Sequence, residues 1–249
     1  MTTKQVAITG AGRGIGRAIA ETFLRHGWQV WALIRQESQI STLAKLGEVR
    51  FVPFDASDEA SVLDAAKRLQ KETLHALINN AGIAMSSPLA KTTTEEFLHV
   101  QKVNVIAPFI LCRELMPLMA KNGGGRVINI ASTAARKGFK YTSAYCASKH
   151  ALLGLTRSLA VEFAAKQVTV NAVSPGWTET DMFTNTVEKI ASATGRSASD
   201  ARATLEHMNP LGRAVQPDEV ADVVYFLASS TAGAAITGTS YDIDGGETV

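Results

Sequence analysis

The sequence reads TGAGRGIG from Thr9 to Gly16, directly after the apolar run Val6–Thr9 and at the start of an amphipathic helical pattern that ends near Gly27. Glycines let a ligand approach the backbone closely, and the start of a helix offers unpaired N–H groups and a positive dipole end. A glycine-rich turn between a strand and a helix is therefore typical of a site for dinucleotide phosphates. A tight turn that binds nothing is the alternative. The candidate phosphate ligands are Gly10, Gly12, Arg13, Gly14, Ile15 and Gly16.

Strand-like and helix-like patterns alternate from this turn to the end of the chain. The predicted strands are the apolar runs Val6–Thr9, Val30–Ile34, Val49–Phe54, Leu74–Asn79, Arg126–Ala131, Val168–Ser174 and Tyr241–Ile243. Near-continuous apolar strands separated by helices predict an α/β fold, with a doubly wound parallel sheet of about seven strands and helices on both faces. We find no repeat or linker, so we expect residues 1–249 to form a single dinucleotide-binding and catalytic domain.

The helical patterns have clear signals at several of their ends. A helix is predicted to begin at Ser57-Asp58-Glu59, and a long one to cover Thr94–Lys121 with a bend or break at Pro108 or Pro117. The others are predicted over about Ala144–Ala165, which buries Leu152, Leu155, Leu159 and Phe163, and from Pro217 to Leu227. The stretch 177–209 lacks strand signals and interrupts the alternation, so we interpret it as a substrate lid.

The composition argues against several classes of protein. With 25 basic and 23 acidic residues the net charge is +2, and the basic residues are scattered, so we expect neither a nucleic-acid nor a membrane partner. Cys112 and Cys146 lack metal-ligand spacing and are predicted to be buried, reduced thiols. Met1–Lys4 shows no secretion leader, and no apolar run is long enough to span a bilayer. We therefore expect a cytoplasmic protein without a bound metal.

Polar and small residues follow two further strands of the predicted sheet. Asn79-Asn80-Ala81-Gly82 ends the fourth strand, and Ser132 follows the fifth. Ligands of open parallel sheets bind beyond the carboxyl ends of the strands. We therefore expect these residues to face the same crevice as the glycine turn, although Asn-Asn-Ala-Gly alone is typical of an ordinary loop.

Tyr145 and Lys149 are four residues apart in a helical pattern, so they lie on one face, one turn apart. A free phenol, with a pKa near ~10, holds its proton too tightly to exchange it well at neutral pH. A neighbouring ammonium stabilises the phenolate and lowers that pKa. Tyr145 is therefore a candidate proton donor to a carbonyl oxygen under reduction, and Ser132 can reach the same oxygen. For the pair alone, a surface tyrosine and lysine are the alternative.

Together these motifs resemble the short-chain dehydrogenase/reductase family in its single-domain form, over essentially the whole chain. The matching residues are the TGxxxGxG turn at Thr9–Gly16, the NNAG motif at Asn79–Gly82, the catalytic positions Asn104, Ser132, Tyr145 and Lys149, and Pro175-Gly176 with Thr178 and Thr180. The second half looks most like 3-oxoacyl-thioester reductases and polyketide ketoreductases. It does so at Tyr145–His150, Asn171–Met182 and Pro210–Pro217.

The resemblance implies a role for each matched residue. Tyr145 would donate the proton in reduction, Ser132 would polarise the carbonyl, and Lys149 would lower the pKa of Tyr145 and bind the nicotinamide ribose. The main-chain carbonyl of Asn104 would hold a water that links Lys149 to solvent. The remaining implied cofactor contacts are Asp55 and Ala56 at the adenine, Asn80, Ala81 and Gly82, and Pro175, Gly176, Thr178 and Thr180 at the nicotinamide end. Family members usually form homotetramers through the helices around 94–121 and 144–165.

The end of the second strand indicates which nicotinamide cofactor binds. Enzymes of this architecture that use NAD place a carboxylate there, but this strand ends Leu33-Ile34-Arg35-Gln36. Arg35, with Arg13 nearby, can pair with a 2′-phosphate, which a carboxylate would repel. The sequence therefore favours NADP(H). The alternative is that both arginines are solvated and NAD(H) binds.

The substrate is less well indicated. Trp177, Met182 and Phe183 are candidate apolar walls under the lid. Arg136, Lys137 and Lys140 follow Ser132 and form either a site for the phosphates of coenzyme A or an acyl carrier protein, or a solvated loop. The leading hypothesis is reduction of a 3-oxoacyl thioester. The alternatives are a dehydrogenase or reductase of a free ketone, cyclic alcohol or sugar, and a non-catalytic NADP(H) sensor.

Overall fold

A computed structural model describes residues 3–249. Its centre is a parallel sheet of seven strands in the order β3-β2-β1-β4-β5-β6-β7, which confirms the predicted fold class. The strands are β1 (Gln5–Thr9), β2 (Gln29–Ile34), β3 (Val49–Pro53), β4 (Ala76–Asn79), β5 (Gly125–Ile130), β6 (Val168–Pro175) and β7 (Ser240–Ile243). The expectation about a leader at Met1–Lys4 lies partly outside the described residues.

Helices cover both faces of the sheet, as a doubly wound architecture requires. The helices are α1 (Gly14–Arg25), α2 (Glu59–Leu69), α3 (Thr94–Gln101), α4 (Ala107–Lys121), α5 (Ser143–Phe163), α6 (Asp181–Thr194), α7 (Ala198–Glu206) and α8 (Pro217–Ser229). One core layer lies between the sheet and helices α1 and α8, and the other between the sheet and helices α2, α4 and α5. In β1, Val6 and Ile8 belong to the first layer and Ala7 to the second. Both faces of the strand are thus buried, which explains its continuous apolar run.

The long helix predicted over Thr94–Lys121 is divided, and the division ends two residues before Pro108, whereas Pro117 does not break the helix. A π-helical segment, Lys102–Ile106, separates α3 from α4. Pro108 lies in the first turn of α4, and Pro117 lies inside α4. The combined helix of 28 residues is long and apolar enough to cross a membrane by composition, but 56% of its apolar window is buried inside the protein. Because α4 packs in the second core layer, we interpret it as a core helix.

The segment 177–209, predicted to form a lid, contains two helices. They are α6 and α7, and they enclose a small core of their own. The backbone before them is tied to the chain that follows them, since Glu179 N–H donates to the Val215 carbonyl at 2.9 Å and Val215 N–H donates to the Trp177 carbonyl at 2.8 Å. The segment is therefore ordered by its own packing and by these two hydrogen bonds.

Some predicted burial differs from what the structure shows. Leu152 and Phe163 are buried in α5, but Leu155 and Leu159 are only half-buried, because they lie at the margin of the face that packs on the core. Both cysteines are free thiols, as predicted. Cys112 is buried, and Cys146 is only half-buried because it lies in the first turn of α5, near the surface.

A chain of buried polar side chains crosses the second core layer. Asn79 Nδ2 donates to Asn129 Oδ1 at 2.8 Å, and Asn129 Nδ2 donates to Thr156 Oγ1 at 2.8 Å. The Thr156 hydroxyl in turn donates to the Leu152 carbonyl at 2.8 Å. These bonds fix β4 and β5 against α5, the helix that carries Tyr145 and Lys149.

We predict that Thr156→Val lowers the free energy of unfolding by about 1–3 kcal/mol, because it leaves a buried amide group of Asn129 without an acceptor. The matched control is Thr169→Val. The Thr169 hydroxyl is also buried but has no hydrogen-bond partner in residues 3–249, so its removal should leave stability unchanged or raise it. Denaturant unfolding measures both variants, and equal losses would contradict the prediction.

Candidate active site

The glycine turn is held against the sheet by contacts that exclude side chains. A Cβ atom on Gly16 would lie 2.2 Å from the Gly10 carbonyl oxygen and 2.4 Å from Asn80 Nδ2. Gly10 itself has φ +70°, a conformation that favours glycine. The first turn of α1 therefore packs directly on the end of β1, with no room for a side chain at Gly16.

The predicted cofactor residues Asn80 and Ala81 support this turn from β4. The Thr9 hydroxyl accepts hydrogen bonds from the N–H groups of Asn80 and Ala81, both at 2.9 Å. Asn80 Nδ2 donates to the Thr9 carbonyl at 2.9 Å. The Asn80 side chain thus acts within the protein, by joining the carboxyl ends of β1 and β4.

The start of α1 suits a phosphate group. Arg13 is its N-cap residue and makes no side-chain capping bond, whereas Asp58, Thr93, Thr180 and Ser197 cap α2, α3, α6 and α7 through side-chain oxygens. Within residues 3–249, the N-cap side chain therefore accepts no hydrogen bond from the N–H groups at the start of α1. Together with the half-buried backbone of Gly10, Gly12 and Gly14, these groups form a cradle that fits a pyrophosphate.

The candidate adenosine end lies at β2 and β3. Arg13 and Arg35 are exposed. Hydrogen bonds from the Ser57 hydroxyl and N–H group lower the pKa of Asp55, and the charge of Arg35 lowers it further. Ala56 is half-buried beside them. The charge of Arg35 at the end of β2 thus acts on Asp55 after β3.

Sequence analysis did not identify Gln39, which lies over the glycine turn. A Cβ atom on Gly12 would be 2.8 Å from Gln39 Oε1. Gln39 belongs to a short 3-10 helix, Glu37–Ile40, after β2. An isolated glutamine in a polar stretch gives no signal of this contact.

Three of the candidate catalytic residues lie at the carboxyl end of β5 and on α5. Ser132 is half-buried and begins a 3-10 turn, and its Oγ accepts a hydrogen bond from Ala134 N–H at 3.1 Å. Tyr145 and Lys149 lie one turn apart on α5. Lys149 Nζ is 5.7 Å from the centroid of the Tyr145 ring and donates to the Ile130 carbonyl at 2.8 Å. The structure therefore brings the three side chains together, with the Ser132 hydroxyl close enough to act on the Tyr145 phenol.

Asn104 lies in the π-helical segment and anchors the loop after β4. Its Nδ2 donates to the Ile83 carbonyl at 2.9 Å and to Ser148 Oγ at 3.0 Å, and its Oδ1 accepts from Ile83 N–H at 2.9 Å. A Cβ atom on Gly82 would lie 3.3 Å from Asn104 Oδ1 and 3.6 Å from Lys149 Nζ. Gly82 thus lets the asparagine and the lysine approach the same point.

Burial acts on the protonation of both members of the pair. It raises the pKa of Tyr145, and the Ser132 hydroxyl opposes this rise. The phenol group is surrounded by protein, although Tyr145 as a whole is half-buried. Burial lowers the pKa of Lys149 to about 8. The expectation that Lys149 lowers the pKa of Tyr145 stays a prediction for the protein with cofactor bound.

The loop after β6 joins the glycine turn to segment 177–209. Thr178 Oγ1 donates to the Gly176 carbonyl at 3.0 Å, and Thr180 caps α6 by accepting from Phe183 N–H at 3.4 Å. The Thr180 methyl group would lie 3.2 Å from a Cβ atom on Gly14. The predicted nicotinamide loop, which begins at Pro175, therefore reaches the phosphate cradle.

The three side chains predicted to line the substrate site differ in how far they are buried. Trp177 is half-buried and Met182 is exposed. Phe183 is only 1% exposed and lies in the small core between α6 and α7. Phe183 therefore supports the segment from inside, and only Trp177 and Met182 remain candidates for direct contact.

Ion pairs that no sequence motif indicates stabilise segment 177–209. Arg202 on α7 forms a bidentate ion pair with Glu179 and a second pair with Glu206 at 2.8 Å. The Arg202 guanidinium also lies 5.1 Å from the centroid of the Phe183 ring. Glu179 stands between Thr178 and Thr180, so this ion pair links α7 to the nicotinamide loop.

Two of the three basic residues after Ser132 are engaged within the protein. Arg136 pairs with Asp242 at 3.1 Å, and Lys137 Nζ donates to the Glu247 carbonyl at 2.7 Å. Lys140 is exposed, with its Nζ 5.5 Å from the centroid of the Tyr141 ring. Arg136 and Lys137 are therefore less available to bind the phosphates of coenzyme A or an acyl carrier protein.

Comparison with known proteins identifies the family of the chain. The profile of a family described as enoyl-(acyl carrier protein) reductase matches residues 10–248. The uncharacterized oxidoreductase YxjF of Bacillus subtilis is 38% identical, and the alignment covers 98% of each chain. The 3-oxoacyl-[acyl-carrier-protein] reductase FabG of Escherichia coli is 34% identical over 98% of this chain and 96% of the relative.

Two solved structures superpose over nearly the full length. A variant of actinorhodin polyketide ketoreductase with NADPH gives a TM-score of 0.91 at 30% identity, over 99% of this chain and 97% of the other. L-sorbose reductase from Gluconobacter frateurii, complexed with NADPH and L-sorbose, gives 0.92 at 27% identity, with the same coverage.

Fold and site together define an oxidoreductase that acts on CH–OH groups with NAD(P)(H). The chain belongs to the short-chain dehydrogenase/reductase family.

We predict that Lys149→Met raises the free energy of unfolding of the protein without cofactor by up to about 3 kcal/mol at neutral pH. Loss of the hydrogen bond from Lys149 to the Ile130 carbonyl reduces this gain. The folded pKa of about 8 lies below the ordinary value of 10.5, so the folded state binds fewer protons between these values. The gain should be complete below pH 8 and fall as the pH rises toward 10.5.

Denaturant unfolding at neutral and at alkaline pH measures this gain. Lys71→Met, at an exposed position, is the control and should show no such gain. A stabilisation by Lys149→Met that does not change with pH would contradict a charged, buried ammonium.

Proposed function

We propose that the protein is a cytoplasmic NADPH-dependent carbonyl reductase that converts a 3-oxoacyl thioester, on coenzyme A or an acyl carrier protein, to the 3-hydroxyacyl form. The observation that carries the enzymatic part is the grouping of Ser132, Tyr145 and Lys149, with Lys149 Nζ 5.7 Å from the Tyr145 ring centroid. A reductase needs a proton donor beside the carbonyl oxygen, and this grouping supplies one.

NADPH, when bound, supplies the hydride that reduces the carbonyl carbon. The residues proposed to hold it are the glycine turn with Arg13 and Ile15, then Arg35, Asp55 and Ala56, and the loop from Pro175 to Thr180. Tyr145 donates its proton to the carbonyl oxygen, and the Ser132 hydroxyl orients that oxygen by a hydrogen bond. Lys149 holds the nicotinamide ribose and adds positive charge near Tyr145.

The raised pKa of Tyr145 suits reduction of a carbonyl better than oxidation of an alcohol. A phenol that keeps its proton is the correct state for a proton donor in reduction. Oxidation requires the phenolate, and the positive charge of the oxidised nicotinamide would be needed to lower the pKa of Tyr145. We therefore expect the buried site to favour reduction at neutral pH.

The preference for NADP(H) is proposed from the charges at the end of β2. Arg35 is exposed and lies near Asp55, whose pKa its charge lowers. Arg13, at the start of α1, adds a second exposed cation. Both can neutralise a 2′-phosphate.

We predict that Arg35→Asp raises the KM for NADPH about tenfold or more, because the new carboxylate repels the 2′-phosphate. The KM for NADH should change little. Arg50→Asp, which changes another exposed arginine on β3, is the control. Steady-state kinetics with both cofactors give the comparison, and equal effects on both would remove the argument for NADP(H).

Thioester reduction is supported by the similarity to FabG of Escherichia coli and to actinorhodin polyketide ketoreductase. Reduction of a free ketone, or dehydrogenation of a cyclic alcohol or sugar, is the second candidate. Two observations favour it: L-sorbose reductase has a similar fold, and the acidic partners of Arg136 and Lys137 reduce the charge available to a carrier. A non-catalytic NADP(H) sensor would not need Tyr145 and Lys149 together.

We also propose that residues 1–249 form one domain with 177–209 as a substrate lid, and that the chain assembles as a homotetramer. The lid proposal is supported by Trp177 and Met182, which stand next to the nicotinamide loop. The assembly proposal is supported by apolar side chains left exposed on the predicted interface helices, namely Leu98, Ile106, Phe109 and Val161.

We predict that the protein consumes NADPH when acetoacetyl-CoA is added, and that Tyr145→Phe lowers the rate about a hundredfold or more by removing the proton donor. NADPH absorbance follows the reaction. Tyr225→Phe, on α8, is the control and should keep full activity.

Activity on simple ketones or sugars but not on acetoacetyl-CoA would support the second candidate. Full activity of Tyr145→Phe would contradict the proposed chemistry. Tight NADPH binding without turnover on any carbonyl would support the sensor.

A further inference from the structure

A buried carboxylate near the end of the chain has no role in the chemistry described so far. The Glu247 side chain has 0% exposed area. The Lys137 ammonium and the Thr133 hydroxyl act on its carboxylate, but within residues 3–249 neither makes a hydrogen bond of normal geometry to it. The nearest cation is Lys137, whose Nζ lies 3.5 Å from Glu247 Oε1. Burying a carboxylate with so few partners is costly, so its location calls for a reason.

Glu247 lies against the predicted nicotinamide loop. A Cβ atom on Gly176 would be 3.0 Å from Glu247 Oε2 and 3.1 Å from Asp244 Cα. Gly176 N–H also donates to the Ile243 carbonyl at 3.0 Å. The loop therefore rests directly on the C-terminal segment Asp244–Thr248, with no room for a side chain between them.

The C-terminal segment is itself a fixed turn. Asp244 Oδ1 accepts from Gly246 N–H at 2.9 Å, and Asp244 Oδ2 accepts from the N–H and hydroxyl groups of Thr248 at 3.0 Å and 2.6 Å. Glu247 stands inside this turn. Its position is thus determined before any cofactor binds.

Lys137 connects the same turn to the loop of Ser132. Its Nζ donates to the Glu247 carbonyl at 2.7 Å, and its N–H donates to the Thr133 carbonyl at 3.1 Å. Thr133 directly follows Ser132. A short path of contacts therefore joins the Ser132 turn, Lys137, Glu247 and Gly176.

We infer that Glu247 and Lys137 are positioning residues that hold the Ser132 turn and the Pro175–Gly176 loop in register, so that the nicotinamide end of the cofactor is seated facing the proton donor. Glu247 acts through Gly176, and Lys137 acts through the Ser132 turn. The inference rests on the cofactor assignment of the proposed function and is independent of the substrate.

The test uses the full chain and separates the two ends of the cofactor. NADPH is titrated by fluorescence, and 2′-phospho-ADP-ribose, which lacks the nicotinamide, is titrated by calorimetry. We expect Glu247→Gln to raise the Kd for NADPH about tenfold and to leave the Kd for the fragment unchanged. Equal weakening of both ligands, or no weakening of NADPH, would overturn the inference.

Variants of Lys137 provide a second measurement and a rescue. Lys137→Met should weaken NADPH binding as Glu247→Gln does, and Lys137→Arg, which keeps a cationic donor, should restore it. Asp242→Asn is the matched control, because it removes the neighbouring ion pair with Arg136 without touching Gly176. If Asp242→Asn raised the Kd for NADPH as much as Glu247→Gln does, the inference would be overturned.

An incorrect cofactor assignment would give a different binding result. If the unaltered protein binds neither NADPH nor the fragment but binds NADH, the assignment to NADP(H) is wrong. The same comparison then uses NADH and ADP-ribose, and the same outcomes support or overturn the role of Glu247 and Lys137.

Discussion

The structure depends on the joining of two parallel strands at the centre of the sheet. The Thr9 hydroxyl accepts the N–H groups of Asn80 and Ala81 at 2.9 Å, and so fixes the carboxyl end of β1 to that of β4. Gly16 then packs on the Gly10 carbonyl, which places the start of α1 over this junction. The proposed ligand contacts lie along the same edge of the sheet as this junction, because all seven strands are parallel and their carboxyl ends share that edge.

The same edge contains groups that do not favour folding. Burial lowers the pKa of Lys149 to about 8, and burial raises the pKa of Glu247. Both lie next to the loops proposed to hold the nicotinamide. Charges kept in such places are typical of functional sites. The rest of the fold offsets their cost through two apolar layers that cover both faces of the sheet.

The fold and the central catalytic grouping were predictable because their signals are local. Seven apolar runs marked the seven strands, and Tyr145 and Lys149 are separated by one helical turn. Contacts between distant parts of the chain were not predictable. Gln39 over Gly12, Arg202 on Glu179 and Lys137 on Glu247 each join segments whose sequence gives no indication of the partner. Phe183 shows a further limit, because an apolar residue in a lid pattern can face the cleft or the core of the lid.

The division of the long helix was only partly predictable. A proline is the usual signal for a break, but Pro117 lies within α4, and the irregular segment is Lys102–Ile106. Pro108 has no N–H group to donate to the Asn104 carbonyl one turn earlier, and the Asn104 side chain makes contacts with Ile83 and Ser148 that no local pattern indicates. π-Helical turns are frequent at functional sites, and this one coincides with a candidate catalytic residue.

The unequal surroundings of the two cysteines have a practical consequence. Cys112 is fully enclosed in the second core layer, and burial raises the pKa of its thiol to about 12. Cys146 is half-buried, beside Tyr145 at the start of α5. An alkylating dye added to the native protein therefore reaches essentially one sulfur, which adjoins the reaction centre. Attachment at the second sulfur requires the core to open, so the ratio of the two labels reports unfolding in the same sample.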